Sequence, residues 1–393
     1  MPARKHILFI SSWYPNRNNP THGIFNLYFA LAAARYNKVS VLNVCSEVDL
    51  QAPLELIETN ENSIVTVNAY YRKLNSTFPL ISQIVKRFRV LRAFDKAYQQ
   101  IVRAAGKPDL IQLNVVLPMG VGAFHLSKKH NIPYVINENW SGYCVEDGNY
   151  RGKMQQFYTR KIVKGARKIM PTSTYLMEAM LKHDLNGNYS VVPNVVDVSV
   201  FKPSERVPDS VTRLIHISSL NDREKNVSGL IRAFHKASLK QRELELVIVG
   251  EGIDKTSYEG LVRELALSSK VKFTGRLMSE ELVSEINHAD ALVMFSNYET
   301  FCLVIIEAFA CGKPVITSNA GAIKTYMQPD LGIMVNKGNE EELEEAMLKF
   351  VEIKSRFDHE AIRKFAVDNY SYETIGKTLS DIYHTVLLEQ LED

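Results

Sequence analysis

Two glutamates eight positions apart are the residues whose type and spacing most directly suggest chemistry in this sequence. Glu299 and Glu307 lie in the stretch 291–321, which reads ALVMFSNYETFCLVIIEAFACGKPVITSNAG. Apolar residues flank Glu307 on both sides, so its carboxylate is expected to be buried, and burying a charge without a partner is costly. The partner is either a cation or backbone donor inside the fold or a pair of ligand hydroxyl groups, since a carboxylate accepts two hydrogen bonds side by side.

The elements around these glutamates predict how they are held. The letters ALVMF predict a strand, residues 296–299 a loop, residues 301–310 a helix, residues 311–314 a turn and VIT a second strand. In such a βαβ unit, ligands collect at the carboxyl ends of the strands and face the helix N-terminus. A helix that begins near Phe301 has Glu299 at its mouth and Glu307 about two turns in. One ligand lying across the N-terminus would then contact both carboxylates.

The rest of the chain alternates predicted strands and helices in the same way, which favours parallel sheets covered by helices on both faces. In the first half, the predicted strands are 6–12, 38–44, 63–70, 109–116, 133–139, 167–173 and 189–194, with a looser stretch at 47–62. The helices between them are predicted near 24–36, 80–105, 119–130, 151–168 and 174–183. In the second half, strands are predicted at 213–220, 244–250 and 270–275, followed by the central stretch and a mostly helical remainder.

The predicted fold class is therefore α/β, with two Rossmann-like parallel-sheet domains facing across a cleft. A length of 393 residues suits two domains better than one hydrophobic core. The predicted boundaries are 1–197 for the first domain, 198–211 for a linker and 212–370 for the second domain.

The composition is that of a soluble globular protein, with 46% hydrophobic and 23% charged residues. Its four cysteines show no regular spacing, so neither a disulfide framework nor a zinc site is predicted, and a reducing, cytoplasmic location is expected. The start, MPARKHILFISSWYP, predicts a first strand, because ILFI is too short for a signal peptide. No apolar run approaches the roughly 20 residues that span a bilayer, so any membrane contact is expected to be peripheral.

Charge is divided unevenly between the two halves. Residues 1–200 hold 24 Lys and Arg against 13 Asp and Glu, whereas residues 201–393 hold 23 against 31. Much of the basic excess lies in 80–107 and 151–168. Such a surface suits an anionic membrane or a phosphate-bearing acceptor, or it consists of solvated helix faces. A nucleic-acid partner is not expected, because no binding motif accompanies the charge.

The central string resembles the E-x7-E signature of retaining glycosyltransferases of the GT-B fold, the family 4-like, group 1 enzymes. The resemblance implies that Glu299 contacts the donor sugar and Glu307 the nucleotide ribose. It also implies that the backbone amides of Phe301, Cys302 and Leu303 hold the diphosphate. Many relatives have Gly-Phe-Gly where residues 300–302 of this chain read TFC. A less flexible backbone and a tighter donor pocket are therefore expected.

The same resemblance covers most of the chain and assigns its domains. It makes the first domain the acceptor side and the second the nucleotide-sugar donor side, with a last helix of about 371–391 packing back on the first domain. It implies that Gly23 lets the backbone approach the donor phosphates and that Gly250 lies in a donor-side turn. Arg276 and Leu277 match the loop that pairs with the base.

The leaving phosphates need cations, and the sequence has no D-x-D motif to supply them through a metal. Lys225 matches a family lysine in the polar loop after the first strand of the second domain. The usual family arginine is replaced by Ser219, so Arg223 is the candidate substitute. No metal and no cofactor are expected beyond the nucleotide-diphosphate-sugar itself.

On the acceptor side, relatives often carry a histidine where this chain has Asn139, which cannot act as a base. The resemblance implies that the donor's own phosphate takes the acceptor proton. Asn114, Glu138 and Trp140, at the ends of two predicted strands, are expected to line the acceptor site.

The function implied is transfer of a sugar from a nucleotide diphosphate to a carbohydrate or lipid-linked acceptor, in cell-surface polysaccharide or glycolipid synthesis. Two alternatives stay open: a non-catalytic sugar-nucleotide-binding protein, and a sugar-nucleotide epimerase of the same architecture. A dehydrogenase is disfavoured, because Lys255 occupies the third glycine position of G-x-G-x-x-G.

Overall fold

The computed structural model describes residues 4–73, 79–204 and 210–392. The chain divides into two compact units. The first unit comprises Met1–Val195 with Tyr372–Asp393, and the second comprises Val196–Ser371. Part of the predicted linker, residues 205–209, lies outside the described residues.

The first unit is built on a seven-stranded sheet with helices packed against it. Its strands are β1 His6–Ser11, β2 Lys38–Glu47, β3 Leu54–Glu61, β4 Ile64–Arg72, β5 Leu110–Asn114, β6 Tyr134–Glu138 and β7 Lys168–Pro171. Its helices before the second unit are α1 Ile24–Ala34, α2 Pro79–Ala105, α3 Gly120–His130, α4 Lys153–Gly165 and α5 Thr174–Leu181. The strand order is β3-β4-β2-β1-β5-β6-β7.

One edge of this sheet differs from the predicted all-parallel arrangement. The prediction of a looser stretch at 47–62 is wrong there, because β3 pairs antiparallel with β4. The two residues between the strands, Asn62 and Ser63, have φ values of 50° and 63°. Two successive positive φ values make the tight turn that suits the twist of a β-hairpin.

The strand predicted at 189–194 is also wrong. Tyr189 forms only an isolated bridge with Ile169, and no described strand follows β7 in this sheet. Val192 donates its N–H to the carbonyl of Pro171. Pro171 and Pro193 have no N–H to return such bonds, so the ladder cannot continue.

The second unit has a six-stranded sheet whose strand pairs are all parallel. Its strands are β8 Thr212–Ile217, β9 Leu244–Val249, β10 Val271–Gly275, β11 Ala291–Met294, β12 Val315–Ser318 and β13 Gly332–Val335. Its helices are α6 Asp222–Lys225, α7 Val227–Lys240, α8 Lys255–Glu264, α9 Ser279–His288, α10 Leu303–Ala310, α11 Glu340–Ile353 and α12 His359–Tyr370. The edge strand β13 was missing from the prediction, since its four residues give no periodic pattern of useful length.

The strand orders fix where each sheet can bind a ligand. The second sheet runs β10-β9-β8-β11-β12-β13, the doubly wound order in which the chain leaves from the centre in both directions. The switch point lies between β8 and β11. In the first unit, it lies between β1 and β5. Ligands bind beyond the carboxyl ends of the strands at such points.

The last helix, α13 Tyr372–Glu392, belongs to the first unit and packs on α1. Leu379 and Tyr383, both fully buried, join the hydrophobic core on this side of the sheet. The Tyr383 hydroxyl donates to the side chain of Gln112 on β5. None of the helices in the described part of the chain is long and apolar enough to cross a membrane.

A glycine on α13 sets how closely the two helices approach. A Cβ atom at Gly376 would lie 2.2 Å from the carbonyl oxygen of Ala32 on α1. Gly376→Ala is therefore expected to destabilise the first unit by roughly 1–3 kcal/mol through forced backbone movement. The measurement is calorimetric unfolding, with hydrogen exchange of the α1 amides to localise the loss.

Gly260 on α8 provides the matched control, because a Cβ atom there meets nothing within 4 Å. Gly260→Ala is expected to stabilise by roughly 0.5–1 kcal/mol, as alanine does in an open helix interior. Equal effects of the two substitutions would contradict the close approach of α13 to α1.

Candidate functional site

The switch point of the second unit holds a buried ion pair. The ammonium of Lys225, at the end of α6, lies 2.7 Å from Oε1 of Glu299 in the loop after β11. Both side chains are shielded from solvent, with 16% and 8% exposure. The Ser296 hydroxyl donates to the same carboxylate oxygen at 2.8 Å. Two residues predicted as catalytic from separate stretches of sequence are thus in direct contact.

Local backbone structure explains how the two loops are held together. Asn221 caps α6 by accepting a hydrogen bond from the N–H of Arg223. On the other loop, Asn297 donates its N–H to the carbonyl of Glu224 at 2.8 Å and its amide to the carbonyl of Arg223 at 3.1 Å. The loop after β8 and the loop after β11 therefore form one hydrogen-bonded layer.

The electrostatics of the pair keep Lys225 charged. Burial lowers the pKa of Lys225, but the Glu299 carboxylate more than compensates, so the pKa lies above its usual range. Removing one partner of a buried ion pair leaves an uncompensated buried charge. The position of the ammonium is therefore tied to Glu299.

Glu307 presents a different situation. It lies on α10, is only 6% exposed, and makes no ion pair or side-chain hydrogen bond with any residue that the structure describes. Burial alone raises the pKa of its carboxyl to about 7. Arg363, a cation near the other end of α10, donates to the backbone carbonyls of Val198, Phe201 and Ala310. Of the partners considered from the sequence, the internal cation and the backbone donor are not found among the described residues.

The N-terminus of α10 lies between the two glutamates. The helix begins at Leu303, so the predicted start near Phe301 is two residues early and Glu307 lies little more than one turn in. Cys302 adopts φ 72°, the left-handed conformation that favours glycine, and makes no capping hydrogen bond through its side chain. The carbonyl of Phe301 accepts a hydrogen bond from the Tyr326 hydroxyl at 2.6 Å. The first amides of α10 thus have no capping side chain.

The predicted glycines occupy tight positions. Gly250 follows β9 with φ 136°, and a Cβ atom there would lie 1.9 Å from the carbonyl oxygen of Ser218. In the first unit, Gly23 precedes α1 with φ 63°, and its Cβ would lie 2.4 Å from the carbonyl oxygen of Trp13. Any other residue at either position would displace the backbone.

The remaining donor-side candidates lie nearer the surface. Arg223 on α6 and Arg276 after β10 are exposed, and Leu277 packs partly buried against the core. The structure therefore brings Lys225 and Glu299 into contact at the switch point, while the two arginines face solvent around it.

Sequence reasoning missed a buried histidine beside this pair. His216 on β8 is fully buried, and burial lowers its pKa to about 4, so the ring is neutral near pH 7. Its Nδ1–H donates to the carbonyl of Val293 at 2.9 Å, which leaves Nε2 to accept from the Ser218 hydroxyl at 2.8 Å. The alternation of RLIHIS placed the histidine in a strand but gave no sign of its partners.

In the first unit, Glu138 is a buried carboxylate whose partners are internal. It accepts hydrogen bonds at 2.9 Å from the backbone N–H groups of Val116, Asn139 and Trp140, and at 3.3 Å from the Tyr143 hydroxyl. Burial raises the pKa of Glu138 while these donors lower it. The carboxylate therefore fastens the ends of β5 and β6 together, and a ligand contact by Glu138 stays a prediction.

Side-chain amides on β5 and at the end of β6 form two hydrogen-bonded pairs. The Asn139 amide donates to Oδ1 of Asn137 at 2.7 Å, and the Gln112 amide donates to Oδ1 of Asn114 at 2.8 Å. The Nδ2 atoms of Asn114 and Asn137 are buried and have no partner among the described residues. Val115, directly after Asn114, has φ 61°, a strained value for a β-branched residue.

A groove of about 630 Å³ lies at the switch point of the first unit. We call it the strand-end groove, and its polar side is rich in amides and hydroxyls. Its lining is Ser12, Asn16, Asn18, Asn19, His22, Asn43, Val44, Cys45, Ser46, Tyr71, Arg87, Val90, Pro118, Met119, Val121 and Tyr158. The predicted acceptor-side residues are not among them. The sequence analysis did not predict this groove; the clustered asparagines at positions 16, 18 and 19 are the signal from which it could have been found.

Two family models match successive parts of the chain. The model described as Glycosyltransferase Family 4 matches residues 22–200, and the model described as Glycosyl transferases group 1 matches residues 199–366. A probable sucrose-phosphate synthase from Thermosipho melanesiensis is 31% identical over 66% of this chain and 66% of its own length. A putative teichuronic acid biosynthesis glycosyltransferase, TuaC, from Bacillus subtilis is 23% identical over 96% of this chain and 97% of its own length.

The fold is shared with solved structures. A sucrose-phosphate synthase from Thermosynechococcus elongatus matches with a TM-score of 0.76 and 21% identity, over 98% of this chain and 100% of that one. The predicted α/β fold with two parallel-sheet domains of the GT-B type is thereby confirmed.

The unpaired carboxyl of Glu307 predicts an unusual dependence of stability on pH. Its folded-state pKa of about 7 lies above the ordinary 4.5, so the folded protein binds the proton more tightly than the unfolded chain. Stability from this group is then lost as pH rises from 4.5 through 7. Glu307→Gln is expected to match the wild type near about pH 4 and to be more stable by on the order of 3 kcal/mol near about pH 8.

Urea unfolding of the ligand-free protein at the two pH values measures this difference. The control is Glu344→Gln on α11, where the carboxylate pairs with Lys240 at 2.6 Å and the substitution should bring no gain at the higher pH. Parallel pH profiles for wild type and Glu307→Gln would show that the carboxylate has an internal partner.

Proposed function

The chain belongs to the glycosyltransferases in which a family 4 domain precedes a group 1 domain, and from this premise we propose the following activity. It is a retaining enzyme that moves a sugar from a nucleotide-diphosphate-sugar to a carbohydrate or lipid-linked acceptor. The second unit binds the donor, and the reaction needs no metal. The single observation that carries the proposal is the buried carboxylate of Glu307, which lacks a partner among the described residues.

A ribose diol is the partner that fits this carboxylate. Two neighbouring hydroxyl groups donate two hydrogen bonds to the two carboxylate oxygens, and these bonds replace the hydrogen bonds to water that the carboxylate loses on burial. Glu307 lies one turn into α10, whose N-terminus is not capped by a side chain. A diphosphate joined to that ribose would lie against the first amides of α10, where backbone donors and the helix dipole favour an anion.

Lys225 supplies charge for the leaving group in this proposal. Its ammonium is held by Glu299 beside the loop that leads into α10. As the bond between the sugar C1 and the diphosphate oxygen breaks, negative charge grows on the diphosphate, and a fixed cation in a shielded site stabilises it. Arg223, exposed on α6, is the second cation proposed for this charge.

The proposed transfer balances without a protein base. The acceptor hydroxyl attacks C1 from the face that the diphosphate leaves, and its proton passes to the departing diphosphate oxygen. The Glu299 carboxylate accepts hydrogen bonds from the hydroxyl groups of the donor sugar and so orients the sugar. Asn139, at the end of β6, serves in hydrogen bonding and takes no proton.

The proposed setting is the synthesis of cell-surface polysaccharide or glycolipid at the cytoplasmic face of a membrane. The basic excess of the first half supports it, together with exposed apolar side chains on two of its basic helices. Phe88 on α2 and Met154 and Phe157 on α4 are each more than half exposed. Cations beside exposed aromatic and aliphatic groups suit an anionic lipid interface.

Nucleotide binding tests the donor site. UDP-, GDP- and ADP-sugars are screened by thermal shift in the presence of a chelator, and a ligand at about 100 times its Kd is expected to stabilise by roughly 2.7 kcal/mol. Glu307→Ala should lose this shift, because the ribose loses its acceptor. Glu344→Ala, at another buried carboxylate of the same unit, should keep it. An unchanged shift in Glu307→Ala would remove the main support for the proposal.

Turnover tests the role of Lys225. Lys225→Met is expected to lower kcat by about 10²–10³, the usual loss when one preorganised charge-stabilising group is removed. Lys255→Met, at a partly buried lysine paired with Glu251, is the matched control and should leave kcat unchanged. The anomeric configuration of the product, read by NMR, tests retention. Binding without turnover would favour the non-catalytic alternative, and conversion of donor without acceptor would favour the epimerase.

A further inference from the structure

The first unit has a second concavity, bounded by helices α2, α3 and α4, which we call the helical groove. Its volume is about 420 Å³, within the range of small-molecule sites. Leu91, Phe124 and Ile162 give it an apolar floor, and Arg87, Lys128 and Lys161 stand around it. The arrangement gathers permanent cations around one apolar surface.

Two of these cations share a single aromatic ring. The ammonium groups of Lys128 and Lys161 lie 5.7 and 5.4 Å from the ring centroid of Phe124. Neither lysine has an ion-pair partner among the described residues. The ring offers them only a weak cation–π attraction, which does not neutralise their charge. An anion in the groove would relieve their mutual repulsion.

Arg87 is held in place at the edge of the same groove. Its guanidinium carbon lies 5.5 Å from the ring centroid of Tyr158, and its Nη1 donates to the Tyr158 hydroxyl at 2.8 Å. The acid on α2, Asp95, is committed to another pair, since it binds Lys129 at 2.9 Å and His125 at 3.0 Å. Asp95 therefore neutralises Lys129 and leaves the charge of the three groove cations in place.

The helical groove adjoins the strand-end groove. Arg87, Val121 and Tyr158 line both, so one molecule could occupy both grooves. The two grooves differ in chemistry. The asparagines and hydroxyls of the strand-end groove suit the neutral hydroxyl groups of a sugar. Lys128 and Lys161, which line only the helical groove, and Arg87 at the shared edge suit phosphoryl oxygens.

An exposed apolar side chain flanks the helical groove on α4. Phe157 is 58% exposed and packs edge-to-face on the Tyr158 ring, with 5.4 Å between the ring centroids. An exposed aromatic ring beside a phosphate site suits an apolar substituent on that phosphate.

We propose that the helical groove binds the phosphoryl group of the acceptor, a sugar carried on a lipid phosphate or diphosphate, while the sugar lies in the strand-end groove. This inference rests on the proposed glycosyltransferase function and selects the lipid-linked acceptor from the classes it allows. Arg87, Lys128 and Lys161 contact the phosphoryl oxygens. The substrate class follows from the difference between the two adjoining grooves: three cations line the helical groove, whereas amides and hydroxyls dominate the polar side of the strand-end groove.

The test uses octyl phosphate as the probe, titrated calorimetrically into the 393-residue chain with its donor site saturated by whichever of UDP, GDP and ADP gives the largest thermal shift. The double variant Lys128→Gln, Lys161→Gln is expected to bind it about tenfold or more weakly than the wild type, because two charge-assisted contacts are lost. The control, Lys153→Gln, Lys164→Gln, removes the same charge from exposed positions of α4 that line neither groove and should bind within about twofold of the wild type. Octyl glucoside, which has the same chain without a charge, should bind no better to the wild type than to either variant.

Three results would overturn the proposal. The wild type does not bind octyl phosphate, the two double variants lose equal affinity for it, or Lys128→Gln, Lys161→Gln keeps its affinity for octyl phosphate and loses only its binding to phosphatidylglycerol vesicles. The last would assign the groove to membrane headgroups. Nucleotide affinity is measured on the same variants and should not change. Failure of nucleotide binding in the wild type would count against the proposed function, whereas loss of octyl phosphate binding alone counts only against this inference.

Discussion

The ion pair between Lys225 and Glu299 depends on the spatial order of the strands in the second sheet. Because β8 and β11 are neighbours at the switch point, loops 74 residues apart in sequence meet beyond their carboxyl ends. Hydrogen bonds between the loops fix this meeting, and burial makes each charge depend on the other. A positive charge is thereby held at one position by the protein's own side chains.

Three of the buried glutamates in this chain differ in the partners of their carboxylates. Glu299 has a lysine, and Glu138 has three backbone N–H groups and a tyrosine hydroxyl. Glu307 has neither among the described residues, and burial raises its pKa. The carboxylates of Glu299 and Glu138 therefore have their partners within the protein. The buried carboxylate of Glu307 destabilises the fold, and hydrogen bonds from a bound ligand would offset that destabilisation. For this reason the donor site is inferred from Glu307 and not from the burial of acidic residues in general.

The two units carry opposite charge for reasons that their candidate ligands would explain. If the second unit binds the donor as proposed, it needs only a few fixed cations near its switch point, since hydrogen bonds can make most contacts to a nucleotide. The first unit concentrates lysine and arginine on helices around Phe124 and Tyr158, where apolar surface lowers the local dielectric and strengthens attraction for an anion. An acceptor with a neutral sugar and a charged carrier would meet both kinds of lining along one surface.

Sequence alone determined the alternation of strands and helices, because buried parallel strands and amphipathic helices differ in period and length. It also identified Glu307, since a carboxylate within an apolar run stands out without any structure, and it identified Glu299 by its spacing from Glu307. It missed β3, β13 and the absence of a strand at 189–194, because edge strands depend on turn geometry and on which N–H groups find acceptors.

Only the tertiary structure decided what each acid contacts. In the tertiary structure, Lys225 and Glu299 form an ion pair, and Glu138 accepts hydrogen bonds from backbone N–H groups. His216 forms hydrogen bonds with a carbonyl and a hydroxyl. The tertiary structure also brings Arg87 from one helix and Tyr158 from another to the edge of two grooves. Periodicity records the face on which a residue lies, but a partner distant in sequence is fixed by strand order and helix packing, which no local pattern contains.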